Sequence, residues 1–90
     1  MAYKVFFTKD SKKELDNLIK NERDKTFFKI MQLDFPFPNS LSIKRLSGTV
    51  SFFRLKTGKI RIIFMLNFKL KQIIIRKIGF RKDVYRQFKN

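Results

Sequence analysis

The residues with the clearest chemical potential are cations in one stretch, Ser51 to Phe64, which reads SFFRLKTGKIRIIF. Thr57-Gly58 interrupts two runs of apolar and β-branched residues, a pattern typical of two β-strands joined by a tight turn. Because side chains alternate across a strand, Arg54 and Lys56 share one face, and Arg61 can join them from the neighbouring strand. Cations held this close repel one another, so the cluster predicts a bound anion. A solvated basic face of the sheet is the structural alternative.

The overall charge indicates what kind of anion this would be. The 90 residues carry 22 Lys/Arg and 7 Asp/Glu, a net charge of +15. The first 34 residues are nearly balanced, with 8 basic and 6 acidic side chains, whereas the remainder holds 14 basic side chains and only Asp83. Such a charge distribution fits a polyanion, most commonly nucleic acid, and it also fits an acidic protein. An anionic membrane surface fits less well, because the basic residues lie mainly in predicted strands rather than in an amphipathic helix.

Cys and His are both missing from the sequence, and their absence excludes several kinds of chemistry. Without Cys there is neither a disulfide framework nor a thiolate metal site. Without His the usual general base near neutral pH is missing, as is the commonest metal ligand. Asp83 is the single carboxylate near the predicted cluster, so we expect no metal and no other cofactor. We also expect a cytoplasmic protein with no membrane partner, since signal-peptide features and a run of roughly 18 apolar residues are both missing.

The rest of the sequence places the cluster in one small α+β domain, residues 1–90. The predicted order is βααβββα: an N-terminal strand, an αα-hairpin packed on a four-stranded, mainly antiparallel sheet, and a short C-terminal helix. The predicted strands lie at 3–8, 50–56, 60–66 and 72–78, and the predicted helices at 11–20, 21–33 and 80–88. The spacing of Ser11 and Glu14 is that of a capping box and predicts Ser11 as an N-cap. Three successive isoleucines, Ile73–Ile75, indicate a strand buried on both faces.

Three motifs follow one another along the second half of the chain. They are Lys-Arg-Leu-x-Gly at 44–48, the strand–turn–strand at 53–64, and Ile-Gly-Phe-Arg-Lys-Asp-Val-Tyr at 78–85. In this order, behind a helical hairpin, they resemble the RelE/ParE superfamily of toxins from type II toxin–antitoxin systems, over nearly the whole chain. The family's recurring form is a Leu-x-Gly turn, a Tyr-Arg-x-Arg strand, a Gly-x-x-Arg turn and an ending in Gly-His-Arg-x-x-Val-Tyr. The chain departs from it at Phe80, where many relatives have His.

The resemblance implies one of two activities. RelE-like members are ribosome-dependent endoribonucleases that cleave mRNA in the A site, whereas ParE-like members inhibit DNA gyrase and cleave nothing. We expect the RelE-like activity, because the central hairpin is densely cationic and an Arg-x-x-x-Tyr spacing closes the chain. The missing His keeps the gyrase inhibitor open, and an inactive basic nucleic-acid-binding relative is the third alternative. The implied partners are a RelB-like antitoxin, the ribosome and mRNA, with oligomers formed only through the antitoxin.

The resemblance also assigns roles to residues by position. The implied catalytic residues are Arg54, Lys56, Arg61, Arg81 and Tyr85, and the expected nucleic-acid contacts are Lys44, Arg45, Lys59 and Lys82. Metal-independent cleavage uses the RNA 2′-OH as nucleophile, so it needs a base, cations for the crowded phosphorane and an acid for the leaving 5′-oxygen. Arginines are always charged and suit the phosphate, while Lys56, which we expect to be partly buried, is the candidate base. Tyr85 is expected to stack on an unpaired base or to hydrogen-bond the phosphate.

Overall fold

The computed structural model describes residues 2–46, 48 and 51–88, and the side chains up to Val84. The predicted α+β class is confirmed, with one strand more than the sequence predicts. The elements are β1 (Lys4–Phe7), α1 (Lys9–Asp16), α2 (Lys20–Ile30), β2 (Ser42–Arg45), β3 (Phe52–Thr57), β4 (Ile60–Asn67), β5 (Gln72–Phe80) and α3 (Arg81–Phe88).

The five strands form one mixed sheet in the order β1-β5-β4-β3-β2. β1 runs parallel to β5, and the other neighbours are antiparallel. The strand that the sequence does not predict is β2, which pairs from Ser42 opposite Lys56 to Arg45 opposite Phe53. The sequence does not indicate it, because Ile43 is the one apolar residue among its four, too weak a pattern to identify a strand. Short, charged strands of this kind are typical of sheet edges.

The hydrophobic core lies between the sheet and the αα-hairpin. Leu15 of α1 and Ile30 of α2 are buried against the strand residues of one sheet face. These core residues are Leu55 of β3, Ile60, Ile62, Phe64 and Leu66 of β4, and Ile73, Ile75 and Ile78 of β5. The alternation along β3 and β4 is therefore the predicted one. Of the three successive isoleucines, Ile74 faces the other side and is only half-buried.

The last helix, α3, packs on the opposite face of the sheet. Gly79 precedes it, and a Cβ placed on Gly79 would lie 2.9 Å from Val84 Cγ2. Because Ile78 points into the core, its neighbour Gly79 faces the other side. Val84 is 1% exposed, so α3 covers this part of the sheet closely. In the described part of the chain no helix is long and apolar enough to cross a membrane.

The start of α1 differs from the prediction. Its N-cap is Thr8, whose side-chain oxygen accepts a hydrogen bond from the Ser11 backbone N–H at 3.1 Å. Ser11 is therefore not the cap; it is buried, and its hydroxyl donates to the Ile75 carbonyl of β5 at 2.7 Å. The second helix has Ile19 as N-cap and ends at Ile30, three residues before the predicted end. The predicted start of the second strand, residue 50, lies outside the described residues.

Candidate nucleic-acid interface

The β3–β4 hairpin brings three of the predicted cations to one face of the sheet. Lys56 pairs directly with Arg61, and Arg54 pairs with Ile63 one step further along the hairpin. Side chains directly opposite in an antiparallel pair are nearest neighbours on the same face. The neighbours of Arg54 and Lys56 along β3 point into the core, so these cations lie on the face away from α1 and α2.

The turn of this hairpin is built around Gly58, which has φ +59°. Thr57 pairs with Ile60, leaving a two-residue loop with glycine in its first position, where hairpin turns of type II′ need a positive φ. The guanidinium of Arg61 reaches back to this loop. Its Nη1 donates to the carbonyl of Gly58 at 2.8 Å and to that of Ile60 at 3.1 Å. Arg61 therefore holds the turn as well as contributing charge.

The beginning of α3 is attached to the same turn. The Arg81 backbone N–H donates to the Lys59 carbonyl at 3.1 Å, and Ile60 pairs with Phe80. This places Arg81 at the end of the sheet where Lys56 and Arg61 lie. The cluster thus draws on three elements, β3, β4 and α3, which meet at one turn.

Burial separates Arg61 from the other cations. Arg61 is 7% exposed, and its Nε is buried without a hydrogen-bond partner. Within the described residues it forms no ion pair with a carboxylate. A buried charge costs free energy unless it is paired and hydrogen-bonded. Arg61 is therefore a charge that no described carboxylate neutralises, and it lies among further positive charges.

The remaining predicted residues differ in their exposure and in the face of the sheet on which they lie. Lys56, Lys59, Arg81 and Lys82 are exposed. The expectation that Lys56 is partly buried is thus wrong, because β2 beside it is too short and polar to cover it. Lys44 lies opposite Arg54 and shares the face of the cluster, whereas Arg45 lies opposite Phe53, whose side chain faces the core. Tyr85 belongs to α3, one helical turn after Arg81, and its side chain lies outside the described part.

Acidic side chains are concentrated on the other side of the molecule. Six of the seven carboxylates lie between Asp10 and Asp34, in the helical layer and the loop after it. Three of the five carboxylates of α1 and α2 form described ion pairs, Lys12–Asp16 at 2.9 Å, Lys20–Asp24 at 2.7 Å and Lys77–Glu14 at 2.6 Å. Lys56, Arg61 and Arg81 take part in none of the described ion pairs, so the carboxylates of the helical layer do not neutralise these three cations. In the part of the chain described here, no three carboxylates come together as a metal site would require.

A β-bulge in β5 lies beside the cluster, at a residue that the sequence motifs do not include. The β4–β5 register shifts between Ile63 and Phe64, so β5 has one extra residue there, Arg76. Arg76 is exposed on the cationic face. On the side of β5 that faces α1, the Glu14 carboxylate accepts a hydrogen bond from the Ile78 backbone N–H at 2.8 Å. The one sequence signal for Arg76 is that a basic residue directly follows three isoleucines.

Comparison with solved structures identifies the architecture. The chain is 28% identical to a protein of an archaeal RelE–RelB complex from Pyrococcus horikoshii, with a TM-score of 0.74, over 93% of this chain and 100% of that one. It is 25% identical to one from the RelB–RelE antitoxin–toxin complex of Methanococcus jannaschii, with a TM-score of 0.76, over 92% and 98%. The chain has the fold of the RelE toxins.

More distant structures share this RelE fold. The isolated Escherichia coli RelE toxin is 20% identical with a TM-score of 0.74, over 97% of this chain and 95% of that one. A scan of protein-family models and a search of curated proteins found no match. The expectation of a RelE-like fold is therefore confirmed by structure, at sequence identities that leave the activity to be argued from the site.

Proposed function

We propose that this chain is the toxin of a toxin–antitoxin system and that it cleaves mRNA in the ribosomal A site without a metal. The observation that carries the proposal is Arg61: a guanidinium that is 7% exposed, has an unpartnered Nε and lies opposite an exposed lysine. A phosphate is the ligand that a planar guanidinium recognises best. Similarity to RelE proteins of RelB–RelE complexes supports the toxin assignment and an antitoxin partner. Action on ribosomes would place the protein in the cytoplasm.

The proposed chemistry is an internal attack within the RNA. The 2′-oxygen forms a bond to phosphorus, the bond from phosphorus to the 5′-oxygen breaks, and the products are a 2′,3′-cyclic phosphate and a 5′-hydroxyl end. Arg61, with Arg54 and Arg81, stabilises the charge that grows on the phosphorane oxygens. Lys56 is the base that takes the proton of the 2′-OH. The proton for the 5′-oxygen comes from Tyr85 or from water.

The burial of Arg61 changes how the proposal is best tested. Replacing Arg61 by alanine would remove two hydrogen bonds from the β3–β4 turn, so lost activity could reflect a damaged hairpin. Lys56 and Arg81 are exposed and make no described ion pair. Lys56→Ala and Arg81→Ala therefore remove charge from the cluster with little effect on the fold. Lys13→Ala removes the same charge from the exposed face of α1 and is the matched control.

The test is primer extension on a defined mRNA in a purified translation system. The wild type should produce new 5′ ends in phase with codons, in the presence of ribosomes only, and these ends should carry hydroxyl groups. Lys56→Ala and Arg81→Ala should each reduce cleavage by about 10²-fold or more, and Lys13→Ala should cleave normally. Intact mRNA with the wild type would refute the ribonuclease, and inhibited gyrase supercoiling would then support the ParE-like alternative. Full activity of both cluster variants would refute the assignment of the site.

A further inference from the structure

An apolar row crosses the sheet beside the cationic cluster, on the same face. The register aligns Phe6 of β1, Ile74 of β5, Met65 of β4 and Phe52 of β3. Phe6 is 43% exposed and the other three are half-buried. The row is therefore an accessible strip on the face away from α1 and α2. Along β3 it is two residues from Arg54, so it adjoins the cluster directly.

Arg76 extends over one end of this row. Its guanidinium carbon lies 5.6 Å from the centroid of the Phe52 ring, and its Nη1 is 3.5 Å from Met65 Sδ. A cation over an aromatic ring is attracted by the ring's negative face. These two contacts, together with the bulge that places Arg76 outside the regular register, fix the guanidinium above the row while the side chain remains exposed.

We propose that the guanidinium of Arg76, supported by Phe52 and Met65, is the stacking surface for an unpaired base of the bound RNA. The proposal rests on the proposed function, because it locates the nucleotide next to the phosphate held by the cluster. Unpaired bases commonly stack on arginine guanidinium planes and on aromatic side chains. Two residues of a β-strand span about 7 Å, which is about the length of one extended nucleotide. A base over Arg76 would thus be a neighbour of a phosphate at Arg54.

The charge pattern favours RNA over an acidic peptide at this position. Arg76 is exposed although its guanidinium lies over the Phe52 ring, so the guanidinium stays accessible to a flat base. A carboxylate would instead bind the N–H groups at the edge of the guanidinium. The cations next to Arg76 on this face, Arg54 and Lys44, continue in one direction across β3 and β2, as a phosphate backbone requires.

A fluorescence titration tests this directly. Single-stranded RNA hexamers carrying one 2-aminopurine, placed at each position in turn, are titrated with the protein at low salt without ribosomes. Stacking quenches 2-aminopurine, so at least one hexamer should lose fluorescence on binding the wild type. Arg76→Ala should abolish this quenching and weaken binding by about fivefold or more. Arg76→Lys keeps the charge but loses the flat group and should not restore it, whereas Lys13→Ala should quench like the wild type.

Each result of the titration supports or overturns the proposal. Equal quenching by the wild type and Arg76→Ala would overturn it, and so would a wild type that binds none of the hexamers. Unchanged quenching together with weaker binding of an acidic antitoxin peptide by Arg76→Ala would make the row a protein-binding surface instead. Failure of the proposed function would appear separately, as intact mRNA in the translation assay, because the titration measures stacking and not cleavage.

Discussion

Replacing Gly79 by alanine is the smallest change that should disturb the packing of α3 on the sheet. The added Cβ would lie 2.9 Å from Val84 Cγ2, whereas carbon atoms in good contact are about 3.5–4.0 Å apart. At least ~0.6 Å must therefore be regained by movement. Valine is stiff at χ1, and Val84 is 1% exposed, so the side chain has no room to turn away. The helix itself must move, and Arg81 with it.

The expected loss of stability follows from two opposing terms. Overpacking a well-filled site typically costs about 1–3 kcal/mol. Replacing glycine in a strand by alanine otherwise stabilises by roughly 0.5–1 kcal/mol. The two ranges combine to a net destabilisation of about 0–2.5 kcal/mol, centred at ~1 kcal/mol. Each 1 kcal/mol lowers the Tm of a domain of this size by roughly 4–8 °C.

A double-mutant cycle isolates the contact from the general effect of losing a glycine. Urea unfolding is measured for wild type, Gly79→Ala, Val84→Ala and the double variant. Val84→Ala removes the clashing atom, so Gly79→Ala should become neutral or stabilising in that background, with a coupling energy of about 1–3 kcal/mol. If Gly79→Ala costs the same with and without Val84 Cγ2, the reasoning is wrong and α3 does not rest on Gly79.

Three other predictions concern α1, one loop and the edge strand. Glu14→Ala should destabilise by about 1–3 kcal/mol in urea unfolding, because the Ile78 N–H loses its acceptor. Glu14→Gln should cost clearly less; equal losses would make the partly exposed ion pair between Glu14 and Lys77 of β5 the main contribution. Backbone N–H groups of Phe35 and Tyr3 lower the pKa of Asp34 below its ordinary 3.8, so its stabilising effect is present above pH 3.8 and is lost as the pH falls through the lowered value. The stability gap to Asp34→Asn should accordingly shrink between pH 7 and pH 3, and a constant gap would contradict this. Lys44→Ala should weaken RNA binding more at 50 mM than at 200 mM salt, reducing the salt slope by about 1; an unchanged slope would exclude a phosphate contact.

Period-two alternation made the central hairpin predictable. The sequence places Arg54 and Lys56 opposite the core residues, and the structure agrees because burying Leu55 fixes the register of the whole strand. Gly58 marks the turn correctly for the same local reason, since its positive φ is a property of the residue type. Local rules succeed here because the local and the tertiary preferences coincide.

The failures occur where tertiary contacts override local patterns. Ser11 has the spacing of an N-cap, but its hydroxyl donates to the carbonyl of Ile75 in a distant strand, and Thr8 caps α1 instead. Arg61 is buried although its residue type predicts exposure, since its guanidinium satisfies turn carbonyls that no sequence pattern reveals. Arg76 lies on the face of Ile74, as alternation predicts, but the bulge that leaves it without a partner on β4 has no signal in the sequence. Each of these depends on residues far apart in the chain or on an irregularity that periodicity cannot show.

The parallel pairing of β1 with β5 also limits when the protein can fold during its own synthesis. Lys4 pairs with Gln72, 68 positions later, and contacts at such sequence separation form late because a long loop must close first. β1 therefore stays unpaired until β5 has left the ribosome. The strands β3 and β4, which carry several of the candidate catalytic residues, are made earlier. Until β5 and α3 follow, however, these strands lack the neighbour of β4 in the sheet and the helix after it. A newly made chain thus passes most of its translation without an assembled site.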